Sequence, residues 1–138
     1  MEKHMILNNH TLVAVTDGES LRLFHTKGHE PQLELFEVEG PVLEIAHAGS
    51  GGRHRSSSAN PDQSRLDEDD FAASIARYLN REAHNETWQH VLVIADPRTL
   101  GEMRKHYQAS LSAKLVGEIS KDYVKHSVEA IKVAVSTA

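Results

Sequence analysis

The residues best equipped for chemistry lie in one short run, Gly49-Ser50-Gly51-Gly52-Arg53-His54-Arg55-Ser56-Ser57-Ser58. Glycines lack a Cβ and let a backbone approach a phosphate chain closely, while arginines offer planar donor forks that match phosphate oxygens. His54 and the serines can add hydrogen bonds. Gly51, Gly52, Arg53, His54 and Arg55 are therefore a candidate RNA contact. The competing reading is a surface loop whose charges touch nothing. No Gly-Lys-Ser/Thr ending follows, so the run is not a Walker loop. The serines beside His54 also lack the strand-turn-helix elbow of a serine hydrolase.

Carboxylates form the second candidate set. Asp17, Asp70, Asp96 and Asp122 fall at or near the ends of expected elements, where acidic groups gathered over a sheet can hold divalent metals for phosphoryl displacement. A metal-dependent nuclease of the ribonuclease-H-like kind, using Asp17, Asp96 and Asp122, is the alternative function. Each aspartate also has a structural role open to it: Asp17 in a hairpin turn, Asp70 in a helix first turn, Asp96 as an N-cap and Asp122 at the start of a turn. The chain has ten histidines, and His25 and His29 have ligand-like spacing. Neither a His-Glu-x-x-His motif nor a clear third ligand accompanies them, so surface histidines are the preferred reading and no metal is expected. Trp88 and Tyr107 read as core-edge residues rather than stacking platforms.

Composition narrows the classes. A chain of 138 residues with 39% hydrophobic and 25% charged residues is expected to fold as one soluble domain over residues 1–138. The absence of cysteine excludes disulfides, thiol nucleophiles and cysteine-based zinc sites. No signal-peptide core opens the sequence and no apolar run approaches membrane-spanning length, so a cytoplasmic location with no membrane partner is expected. The formal charge of −5 argues against wholesale nucleic-acid binding, yet it is unevenly spread. Residues 1–97 carry 8 basic and 16 acidic side chains, whereas residues 98–138 carry 7 basic and 4 acidic. The C-terminal third thus either presents a basic face or distributes its cations over solvated helices.

These groups need a scaffold, and its centre is Trp88 to Arg104. Val91 to Ala95 is an unbroken apolar run suited to a strand covered on both faces. Asp96 suits an N-cap and Pro97 the first helical position, with Leu100, Met103 and Tyr107 as the stripe that packs back on the sheet. Upstream, Thr11 to Val15 predicts a first strand, Asp17-Gly18 a tight turn with positive φ, Leu21 to Thr26 a second strand and Gln32 to Val38 a third. A slip of phase between Leu35 and Phe36 predicts an irregularity in that third strand. Residues 40–65 read as a long Gly/Ser/Arg connection inside the domain. Ser64-Arg65-Leu66-Asp67 predicts a capping box opening a helix with the stripe Phe71, Ile75, Tyr78 and Leu79, fading between Asn80 and Asn85. Ala113 to Ser120 predicts a fifth strand, and Ser127 the cap of a last helix carrying Val128, Ile131 and Val135. The order βββαβαβα implies an α/β fold (α+β in its mixed sheet), five strands with helices on the faces.

That order, with the residues that carry it, resembles the bacterial host attachment protein family, relatives of the middle domain of archaeal and eukaryotic peptide-chain release factors. The carriers are Val13 to Gly18 with the Leu21 to Phe24 strand, Gly51-Gly52-Arg53-His54, Phe71-Ala72, Val91 to Pro97 with Leu100-Gly101 and Arg104, and Ile119 to Asp122. They span about residues 10 to 133. The resemblance implies a release-factor middle-domain fold and a loop that meets the ribosome, since a Gly-Gly-Gln loop in those factors enters the peptidyl transferase centre. Here the third residue is Arg53, which lacks the amide that helps place the attacking water. What the resemblance implies is accordingly contact with the ribosome or structured RNA, without catalysis and without a cofactor. An indirect accessory role in host attachment is the other function it suggests.

Overall fold

A computed structural model describes residues 10–27, 34–40 and 61–136, with residues 61–66 entering as helical backbone. Among the described residues five strands form one mixed sheet. β1 (Thr11–Thr16), β2 (Leu21–Lys27) and β3 (Glu34–Val38) run antiparallel as a meander, and β4 (His90–Ala95) and β5 (Leu115–Ser120) join β1 in parallel. The order across the sheet is β3-β2-β1-β4-β5. The mixed α+β class expected from the sequence is the one observed.

Alternation along the strands splits the core in two. Leu12, Ala14, Leu23, Val91, Val93 and Ala95 belong to one layer, packed with Ile75 and Leu79 of α1 (Pro61–Glu82), Leu100 and Met103 of α2 (Pro97–Arg104) and Leu111 of α3 (Ala109–Lys114). Val13, Val15, Phe24, Leu35, Leu92 and Ile94 form the other, beneath Ile131 and Val135 of α4 (Val128–Ser136). β1 and β4 are covered on both sides, which is why their sequences carry continuous apolar residues. Ala72 and Ala76 are buried along α1, where small side chains let the helix lie close on the sheet, and Ala83 is buried just past its end.

Several local expectations hold. Asp96 caps α2, its Oδ2 accepting from the Thr99 amide at 3.2 Å, and Pro97 follows at the first helical position. Ser127 Oγ accepts from the Ala130 amide at 3.1 Å and starts α4.

Others are corrected. α1 begins at Pro61, so Ser64 lies inside the helix and Phe71-Ala72 in its middle; Pro61 opens it because a first-turn residue needs no amide hydrogen. The connection read as 40–65 ends accordingly before residue 61. Residues 109–114, the first two of the predicted strand among them, form the extra helix α3, making the order βββαβααβα. β3 pairs with β2 in unbroken register from Glu34 to Val38, and the irregularity instead falls in β5, where Leu115 pairs with Val91 and Gly117 with Leu92. That leaves Val116 as the extra residue of a bulge beside a glycine. Tyr107 lies beyond the end of α2 and packs against the core from there.

Candidate functional site

The carboxyl ends of the parallel strands β1 and β4 lie side by side, with Thr16 opposite Ala95, and Asp17 and Asp96 follow directly. Asp122 follows the end of neighbouring β5. The fold therefore brings all three to one edge, as a nuclease would need. One oxygen of each, however, has a local structural partner, while Asp96 Oδ1 is buried without a hydrogen-bond partner. Asp17 Oδ1 accepts from the amides of Glu19 and Ser20 at 2.8 and 2.7 Å, closing the β1–β2 turn, and Thr16 Oγ1 donates to the Ser20 carbonyl at 2.7 Å. Asp96 Oδ2 caps α2, and Asp122 Oδ1 accepts from the Val124 amide at 3.4 Å. Asp70 sits within α1, its carbonyl accepting from Ser74 Oγ. Among the described residues no three His, Asp or Glu side chains are grouped to hold a metal ion.

Gly18 is corrected as well. Its backbone does not use positive φ; a Cβ there would come within 2.9 Å of Glu68 Cγ, so the glycine serves the close approach of α1. Glu68 and Asp69 in turn face Arg98 of α2, with Asp69 Oδ1 2.7 Å from Arg98 Nη2. These contacts fix the early part of α1 at the carboxyl edge of β1 and β4. β3 runs in the direction of this edge but stops short of it, since Val38 is opposite Leu23 and thus level with Ala14 in the middle of β1. The early part of α1 thus stands at the edge where open α/β sheets bind ligands, and β3 runs toward it. Gly51, Gly52, Arg53, His54 and Arg55 belong to this connection and, with the whole run from Gly49 to Ser58, lie outside the described residues.

The cations of the C-terminal third are largely engaged. Arg98 faces Asp69, Arg104 lies 2.7 Å from Glu118, Lys105 lies 3.0 Å from Glu102, and Lys114 Nζ donates to the Trp88 carbonyl at 2.7 Å. Four of the seven cations in residues 98–138 are thus held by partners within the fold. Arg104 and Tyr107 both hydrogen-bond the Glu118 carboxylate, tying the end of α2 to β5. Burial, reinforced by that carboxylate, pushes the Tyr107 phenol well above its ordinary range.

The opposite edge holds a feature the sequence did not show, a cleft of about 620 Å3 lined by His10, His25, Lys27, Val38 and Trp88 among others. The His25 ring lies 5.5 Å from that of Phe36 and 6.3 Å from that of Trp88. Lys27 Nζ sits 5.5 Å from the Phe36 ring centre. Trp88 Nε1 donates to Glu82 Oε1 at 2.7 Å, so the indole is at the edge of the core as expected, but it is also a wall of this cleft. His25 is thereby placed among aromatic rings; His29, its proposed metal partner, lies outside the described residues.

Sheet order and helix placement define a mixed-sheet α+β domain. The chain belongs to the bacterial archaeo-eukaryotic release factor family 12, whose model matches residues 10–135. It is also 29% identical over 143 aligned residues to an uncharacterized protein of Rickettsia prowazekii (strain Madrid E), covering 96% of this chain and 86% of that relative.

Proposed function

We propose that the protein is a non-catalytic binding module that contacts the ribosome or structured RNA through the Gly49–Ser58 run, with Arg53, His54 and Arg55 meeting phosphates. The observation that carries this reading is the arrangement of the connection's two flanks. β3 runs toward the carboxyl edge of the parallel strands and the early part of α1 stands at it, and the glycine- and arginine-containing segment joins these two elements in sequence. Arg53 in place of a Gly-Gly-Gln glutamine favours phosphate pairing over the placement of a hydrolytic water. The chain would act in the cytoplasm, and the host-attachment resemblance is read as an indirect consequence of such binding. Among the described residues no helix is long and apolar enough to cross a membrane.

Co-sedimentation with ribosomes and separated subunits over a salt series tests this. Binding should weaken as salt rises, because phosphate contacts release counterions. Replacing Arg53, His54 and Arg55 together by alanine should reduce the bound fraction at low salt at least about tenfold, each lost phosphate contact also flattening the salt slope. Undiminished co-sedimentation of the triple variant would remove the run from the interface.

A further inference from the structure

We infer that the cleft at the amino edge of β1 and β4 is a nucleotide site, in which His25 and Trp88 stack a nucleobase, Phe36 extends their aromatic surface at the border beyond His25, and Lys27 with His10 receives the phosphate. The inference does not rest on the ribosome reading, since none of these residues belongs to the Gly49–Ser58 run. Three observations converge on it. The first is the ring series. Phe36, His25 and Trp88 come from β3, β2 and the segment before β4, yet they follow one another at 5.5 and 6.3 Å, tilted by 33° and 59°. The only donor of the indole is taken by Glu82, so Trp88 offers a ligand its π surface rather than a hydrogen bond. Phe36 is 41% exposed on the same layer of the sheet as His25, a placement that burial in the core does not account for.

The second is charge. Lys27 ends β2 with its ammonium over the Phe36 ring, and the imidazole of His10 lines the same space. A flat aromatic surface with a cation at its border matches a flat aromatic ligand that carries an anion, which is the chemistry of a nucleotide. The third is backbone conformation. His10 has φ of 67°, the sole non-glycine residue with positive φ among those described, and it lies at the cleft. Its carbonyl accepts from the Gln89 amide at 2.9 Å, which links the two segments that form this wall. Such strain persists where the surroundings enforce it and gathers at ligand sites. The volume of about 620 Å3 falls in the range of small-ligand pockets.

The nucleotide can come free or as one unit of a single strand, and the experiment separates the two. Trp88 is the one tryptophan in the chain, so its emission reports on this cleft directly. The full chain is titrated with adenosine and uridine 5′-monophosphates, with short single-stranded oligoadenylate and oligouridylate, with adenosine lacking phosphate and with ribose 5-phosphate lacking a base. Saturable quenching by the monophosphates supports a free nucleotide as ligand, and quenching by the oligonucleotides alone supports a strand. Adenosine should bind at least about fivefold more weakly, and ribose 5-phosphate should leave the emission unchanged. Phe36→Ala should weaken binding about tenfold, as loss of a ring from that aromatic surface does, and Lys27→Ala should abolish the advantage of the monophosphate over adenosine. Phe36 is partly exposed and Lys27 exposed, so both variants should keep the wild-type circular dichroism. No quenching by any nucleotide or strand at millimolar concentration, or unchanged titrations in both folded variants, would overturn the assignment.

Discussion

Arg22 shows how much a single side chain can organise. It forks onto the Glu37 carboxylate at 2.8 and 3.0 Å, donates from Nη1 to the carbonyls of Val124 and His126, and lies 5.2 Å from the Phe24 ring centre. One guanidinium thus joins β2, β3 and the segment leading into α4. Arg22→Ala should destabilise the fold by about 1–2 kcal/mol, the order expected for charged hydrogen bonds of which only the one to Val124 is part-buried, read from urea unfolding. The hydrogen bond from Arg22 also holds the Glu37 carboxyl below its ordinary value of 4.5, against the opposing effect of burial. A depressed carboxyl contributes stability that is present above the unfolded pKa and lost as pH falls through the folded one. The gap in urea midpoint between the native chain and Glu37→Gln should therefore be constant near neutrality and close as pH drops below about 4.5. A gap that stays constant throughout acidification would show that the pair contributes nothing through charge.

At the scale of elements, what was legible in the sequence followed the length and purity of each pattern. β4 and the start of α2 were readable because an unbroken apolar strand, a capping aspartate and a first-turn proline agree with one another. α3 was not, for its six residues bury only Leu111 and a single turn and a half leaves no periodic signal. Its placement comes from elsewhere. Asn80, only 4% exposed near the end of α1, donates from Nδ2 to the His106 carbonyl and accepts at Oδ1 from the Gln108 amide. Those two bonds pin the α2–α3 linker. Asn80→Ala leaves both partners without the side chain that satisfies them and should cost about 2–3 kcal/mol in urea unfolding, with an unchanged m-value. A loss below about 0.5 kcal/mol would mean that water replaces the amide at no cost. The cleft was illegible for a related reason: His25 and Trp88 stand far apart in sequence and meet only through the register of β2, β1 and β4.

For the whole molecule, the two ends of the sheet have separate characters. The carboxyl edge carries turn and cap aspartates and the early part of α1, while the amino edge carries aromatic rings and Lys27. Between them the doubly covered strands β1 and β4 form the most protected layer. Native-state hydrogen exchange should be slowest at the amides of Val13 to Val15 and Leu92 to Ile94 and markedly faster in the edge strand β3. Equal protection in β3 would contradict this layering. The central pairing also has a consequence for synthesis. Thr11 pairs with His90, 79 positions later in the chain, so β1 has no neighbour on that side until β4 has left the ribosome. Through most of translation the nascent chain holds a hydrophobic strand with an open hydrogen-bonding edge, which makes delayed closure, rather than weak final stability, its main exposure to aggregation.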